Sequence, residues 1–409
     1  MKSRFFSSTV LLCFLLNAIV PINAEALNNK NTISASKFKI SKTSEYLSLD
    51  HCIVKEINNP DAQVNVFKKI AITNRVPNRI RVLLYLIDFK DLKNNKEKQF
   101  NLDILMHQVS NFYYSVSNGK IRFTWAISQH YKRMSNAIDY YGSNERSKVT
   151  NIAQIIKDAE VEAFKEFNSN LFDIFIAVPP NRTSIDQIST SITSFKDDNQ
   201  ILDGTILAGD FWASEKRWTL LAHEIGHLLG LLDLYSVSAA SIQSTLEPSF
   251  QNQFKFMGLF DVMNWPTGPA PELTAWNRWF LGLLDSSEIR CLPNVETITI
   301  LSPIQSKKGG IKVLFYKVND FKILVIENRN KIGFDCNLPS WATGLLVYLV
   351  DVNIKSGEGP LKIVPHGSSH KAIISQKLLQ NSQKLVYESL EVQNISSNLG
   401  QILVRVRMI

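Results

Sequence analysis

The hydrophobic pattern along the chain changes character once. Before about residue 285, continuous apolar runs alternate with stretches whose apolar residues recur at helical spacing; beyond it, short β-branched runs follow one another between turn signals. Ile80 to Phe89, IRVLLYLIDF, has the length and composition of a buried strand. Ile104, Leu105, Val109, Phe112, Tyr113 and Val116 then lie at helical spacing, and Asn118-Gly119 supplies a stop. KIRFTWAI from Lys120 predicts a second strand. Ile152, Ile155, Ile156, Ala159, Ala163 and Phe164 mark a second helix, and Phe172 to Pro180 a third strand closed by two prolines. A short strand at Gly204 to Ala208 leads into a helix carrying AHEIGHLLGLLDLY, Ala222 to Tyr235. This order predicts an α+β fold, a mixed sheet packed with helices.

In the last part of the chain, ETITIL, GIKVLFYKV, KILVIENR, GLLVYLVDV and QILVRVRMI predict an all-β sandwich of roughly 110 residues. At the other end, Lys2 and Arg4, the apolar stretch Val10 to Val20 and the small residues Ala24 and Ala26 have the layout of a secretory signal peptide. Residues 27–78, rich in Asn, Ser and Lys, read as a loosely structured leader or pro-segment. The expected organisation is therefore a signal peptide at 1–26, a leader or pro-segment at 27–78, a mixed α/β domain at 79–287 and a β-sandwich at 288–409. No later apolar run has membrane-spanning length, so the mature chain is expected to be secreted without an integral membrane segment.

The net charge of +8 is spread along the sequence, which argues for solubility and against a nucleic-acid-binding face. Export permits disulfides. Cys291 and Cys336 fall in the same C-terminal region and are the expected pair, with a loop-closure contribution of about 4 kcal/mol. Cys52 is then left over, with three readings: a thiolate occupying a metal's open position in an inactive precursor, a buried thiol, or an alternative disulfide with Cys291 or Cys336.

On a helix, residues i and i+4 share a face, so His223 and His227 can aim two imidazole nitrogens at one ion. This is the H-E-x-x-H spacing of a zinc hydrolase, with Glu224 placed to reach a water on the metal. Gly230 allows a left-handed turn after the helix, which brings Asp233 within reach as a third ligand. One zinc ion held by His223, His227 and Asp233 would keep a position open for water, with Glu224 as general base. The apolar residues Leu220, Leu221, Ile225, Leu228 and Leu229 would bury this helix whatever the histidines do.

HEIGHLLGLLDLY, the downstream FDVMNWPTGPAPELTAWNRWFLGLLD and the strand VLLYLIDFKD together resemble the immune-inhibitor-A-like secreted metallopeptidases, relatives of the metzincin zincins. The resemblance covers about half the chain, in pieces between Ile80 and Asp285. It implies a zincin-type catalytic domain followed by a β-sandwich, zinc as cofactor, proteins or peptides as substrates, and room for a structural calcium ion. It also implies that Met263 is the methionine of a turn beneath the zinc site, against an ordinary core methionine, and that Ala275 to Asp285 form a closing helix. Tyr235 has two readings, an oxyanion contact or a packed tyrosine. Leu232 stands where related sequences often have proline.

The leading expectation is a secreted zinc endopeptidase. A binding protein with an inactive zincin domain and a zinc hydrolase of a non-peptide amide are the alternatives. A vestigial site would commonly lose its base or a ligand, and Glu224, His223, His227 and Asp233 are all present.

Overall fold

The computed structural model describes residues 38–55, 76, 78–94, 101–141, 151–180, 193–197, 200–207, 216–237, 252–366 and 378–409. The expected signal peptide lies outside the described residues. The chain divides into two compact units, Val76–Leu231 and Met1–Arg75 with Leu232–Ile409.

The unit Val76–Leu231 is built on one sheet. Its strands are β1 (Arg79–Asp88), β2 (Arg122–Ile127), β3 (Lys132–Arg133), β4 (Ile174–Val178), β5 (Thr193–Asp197) and β6 (Gln200–Ile206). Their order is β2-β1-β4-β6-β5, with β3 pairing the end of β1. The pairs β1–β2, β1–β4 and β4–β6 are parallel and β5–β6 is antiparallel. The near-continuous apolar runs of β1 and β4 follow from this, because interior strands of a parallel sheet are covered on both faces. Leu83, Tyr85 and Ile87 of β1 pack with Ile152, Ile155, Ile156, Ala159 and Ala163 of α2 (Ile152–Ala163). The alternate residues Val82, Leu84 and Leu86 are equally buried and face the other way.

Helix α1 (Leu102–Val116) stops where the sequence predicts, with Asn118 and Gly119 at positive φ. Its buried stripe is Leu102, Leu105, Met106, Val109, Phe112, Tyr113 and Val116, so Ile104, expected on that stripe, faces solvent. The stripe selects Leu105 and Met106, one turn from Leu102 and Val109, and Ile104 falls beyond its edge.

In the second unit the five predicted runs become β8 (Thr297–Leu301), β9 (Val313–Lys317), β10 (Lys322–Arg329), β11 (Gly344–Asp351) and β15 (Gln401–Met408). They are joined by β7 (Ile289–Cys291), β12 (Leu361–Ile363), β13 (Lys384–Tyr387) and β14 (Leu390–Asn398). Two mainly antiparallel sheets result, β12-β11-β10-β9-β7 and β13-β14-β15-β8. Leu314, Leu324, Ile326, Leu345 and Val347 of the first share one core with Leu301, Val392, Ile402, Val404 and Val406 of the second. This is sandwich-like packing.

Helix α4 is shorter than expected, Ala275–Phe280 in place of Ala275 to Asp285. Gly282 ends it at φ +71, with its N–H on Trp279 and the Leu283 N–H on the Arg278 carbonyl.

The expected Cys291–Cys336 bridge is not formed: the disulfide joins Cys52 to Cys291, with 5.8 Å between Cα atoms. Backbone pairing explains the choice. Leu47 bridges Cys291, with the Leu47 N–H on its carbonyl at 3.0 Å, and the 3-10 turn Leu49–Cys52 then carries Cys52 beside it. Proximity in sequence favoured Cys336, but strand pairing brings together residues 239 positions apart. In the chain-entropy model a loop of that length contributes about 5 kcal/mol. A disulfide sulfur is no thiolate ligand, so the metal-blocking reading of Cys52 falls as well.

The described part of the leader is also less loose than its composition suggests. Ser41 donates to the Ile298 carbonyl at 2.9 Å, Lys55 to the Asp320 carbonyl at 2.7 Å, and the Lys55 ammonium pairs with Asp320. Among the described residues, no helix is long and apolar enough to cross a membrane.

Candidate metal centre

Helix α3 (Arg217–Leu228) carries the H-E-x-x-H segment and buries Leu221, Ala222, Ile225 and Leu228. Tyr113 of α1 donates its hydroxyl to the Ala222 carbonyl at 2.6 Å, one residue before the first histidine. His223 and His227, at i and i+4, bring their Nε2 atoms to 3.0 Å with ring planes 86° apart. The 2.8 Å contact from His227 Nδ1 to the Leu231 carbonyl assigns the proton to Nδ1, because a carbonyl only accepts. Its Nε2 is thereby left with a lone pair.

The Leu231 carbonyl is placed by the turn at the end of the helix. Gly230 has φ +96, its N–H bonds the His227 carbonyl at 2.8 Å, and the Leu231 N–H bonds the Gly226 carbonyl at 2.9 Å. This is the Schellman pattern, in which a left-handed residue satisfies the last carbonyls of a helix. The chain turned by Gly230 returns Asp233: one ligand atom from each of His223, His227 and Asp233 lies within 4.8 Å of the other two. His223 is 4 % exposed and Glu224 8 %, so both side chains sit where water is scarce.

Two imidazoles and a carboxylate are a donor set of catalytic zinc sites, which use three protein ligands. Bonds of about 2.05 Å at the tetrahedral angle would set two nitrogens about 3.3 Å apart. The 3.0 Å between the Nε2 atoms is close to that, so the residues fit zinc.

No family model matches the chain, and no curated protein does.

The other expected residues fall as follows. Met263 is fully buried, and its carbonyl accepts from Leu234, the residue after Asp233, at 3.0 Å. Tyr235 is half-buried two residues beyond Asp233. Cys291 is bonded to Cys52 and not to Cys336.

Several residues escaped the sequence reading. Asp261, fully buried at φ +76, accepts from the Met263 N–H at 2.9 Å on Oδ1, and from the Thr274 N–H and the Asn277 amide at 2.8 Å each on Oδ2. Burial pushes its carboxyl up, against the pull of these hydrogen bonds. The only signal is its place in FDVMNW, since aspartate tolerates left-handed backbone.

Beyond it lies a buried network. Arg329 pairs with Glu327 at 3.1 Å and Asp335 at 2.8 Å, and Arg278 pairs with Glu272. Tyr348 donates to Glu327 at 3.0 Å, and the Ala275 N–H, at the start of α4, donates to it at 2.6 Å. Its charged residues come from the strand β10, the helix α4, a loop and a 3-10 turn, and no single periodicity runs through them to disclose the network.

Proposed function

We propose that this chain is a secreted zinc-dependent endopeptidase, a zincin akin to the immune-inhibitor-A-like metallopeptidases. The observation that carries the proposal is the convergence of His223, His227 and Asp233 ligand atoms within 4.8 Å, with Glu224 beside the first of them. The resemblance of HEIGHLLGLLDLY and FDVMNWPTGPAPELTAWNRWFLGLLD to that family supports the same reading. Export is supported by the signal-peptide layout and by the disulfide Cys52–Cys291, which suits an oxidising compartment.

His223, His227 and Asp233 would hold the ion, and zinc bound there would supply a Lewis acid that polarises a peptide carbonyl and makes water a better nucleophile. The His227 Nδ1–H on Leu231 orients the ring and keeps its Nε2 aimed at the site. Glu224 accepts the proton of the attacking water on its carboxylate and returns it to the leaving amine nitrogen. Its burial strengthens both transfers, because a charge in a dry site acts through a low dielectric.

The test is hydrolysis of casein by the purified protein, with chelator, with zinc restored, and beside Glu224→Ala. Cleavage should vanish with chelator, return with zinc and fall by about 10²- to 10⁴-fold in the variant. Cleavage indifferent to chelator would overturn the proposal.

A further inference from the structure

Asp233 has no helix to hold it, unlike the two histidines, and its position depends on what grips the segment after Gly230. Besides the Leu234 bond to the Met263 carbonyl, that grip comes from the loop between β11 and β12. The Asp233 N–H donates to Ser356 Oγ at 2.9 Å, and the Asp233 carbonyl accepts from the Gly357 N–H at 2.9 Å. The Ser356 hydroxyl proton points to Asp233 Oδ2 at 3.4 Å, a long contact beside the two backbone ones. Four residues on, the Val237 N–H donates to the Gly357 carbonyl at 3.0 Å. Gly357 is therefore bonded to both ends of the segment Asp233 to Val237.

The fit leaves no slack. Gly357 has φ +75, and a Cβ added there would lie 2.2 Å from Val237 Cγ2. Gly359, at φ +85, is also seated closely on Phe256, with 2.7 Å from an added Cβ to the ring. The loop is thus anchored on both Val237 and Phe256.

We propose that Ser356 and Gly357 are positioning residues of the metal centre, which makes a loop of the C-terminal sandwich part of the apparatus that sets metal affinity. The inference rests on the reading of Asp233 as a zinc ligand. Outer groups that orient a metal's ligands typically govern ten- to hundredfold in affinity. Ser356 does so by two routes: its oxygen holds the Asp233 backbone, and its proton restrains one carboxylate oxygen.

The experiment is a zinc titration of the full chain, stripped of metal, against a competing chromogenic chelator. Ser356→Ala should raise the zinc Kd about ten- to hundredfold, while Ser356→Thr, which keeps the hydroxyl, should stay within about threefold of the wild type. Thermal unfolding of the metal-free proteins accompanies the titration, and the melting temperatures should agree. Hydrogen exchange at the Asp233 amide should quicken in Ser356→Ala alone. Unchanged zinc affinity in Ser356→Ala overturns the inference and leaves the zinc reading in place. Equal weakening in both variants with lowered melting also overturns it, since general damage would then be the cause. A wild-type chain that binds no zinc overturns both, and its own titration tells that case from the others.

Discussion

The carboxylates of Glu272, Glu327 and Asp335 meet the guanidinium groups of Arg278 and Arg329, whereas the imidazoles of His223 and His227 meet each other. The first cluster is buried throughout, whereas in the second His223 is buried and His227 and Asp233 are half-buried. In the first, donors of protons face acceptors, and the planar forks of the arginines also reach backbone carbonyls: Arg329 those of Leu273 and Glu272, Arg278 that of Ile304. Such a network knits α4 to the sandwich strands from within. In the second, donors of electron pairs converge, and what such a set can share is a cation. The contrast is why we read one as scaffold and the other as a metal centre.

The largest expected effect comes from breaking the scaffold. Arg329→Met removes the cation that Glu327 and Asp335 share while keeping much of the side chain's bulk. Truncating one side of a buried ion pair costs about 3–5 kcal/mol, because the remaining charges stay buried. Urea unfolding followed by tryptophan emission should report that loss, Trp276 being fully buried beside this network. Zinc affinity of the molecules that remain folded should hold. A loss below about 1 kcal/mol would mean that the network contributes little to holding this unit.

Adding metal sharpens the other half of the comparison. A ligand present at a hundredfold excess over its Kd stabilises the state that binds it by about 2.7 kcal/mol. Zinc should raise the wild-type melting temperature accordingly and leave His223→Ala where it was. An equal rise in His223→Ala would put the metal elsewhere on the molecule.

The two clusters also differ in how far the sequence discloses them. The convergence of His223, His227 and Asp233 is legible because a helix has a fixed period: spacing alone puts His223 over His227, and a glycine after the last turn foretells the reversal that brings Asp233 back. The strands of the sandwich are legible for the same reason, their runs being short, β-branched and bounded by turns. What stays hidden depends on pairing across long separations. Cys52 finds Cys291 through a backbone bridge at Leu47, and Ser356 finds Asp233 across 123 positions. No local pattern encodes either contact. Arg329 is hidden for another reason, since a charge within an apolar strand reads as an edge or an outward position until its partner is known. Gly282 could have been read, as Gly230 was, and would have shortened α4.

The smallest effect concerns protons. Asp335 is pushed up to about 7 from its ordinary 3.8, by burial first, with Arg329 opposing and Glu272 and Glu327 adding to the rise. Burial likewise pushes Glu327 up. A raised folded-state value means that between about pH 4 and 7 the folded chain holds a proton that the unfolded chain has released. The contribution to stability is therefore full below about pH 4 and is lost as pH rises towards 7, by at most about 1.4 kcal/mol per pH unit for one group. Urea midpoints at pH 5 and pH 7 should differ in the wild type by more than in Asp335→Asn, which is neutral throughout and preserves the shape. Parallel shifts in the two proteins would mean that Asp335 stays ionised against Arg329 over the whole range. The physical reason to expect the slope is that three carboxylates face two guanidinium groups in this network. The acid-rich cluster would be completed by a proton, as the cluster of imidazoles and carboxylate would be by a metal ion, so the two regions differ less in needing a cation than in which cation their geometry accepts.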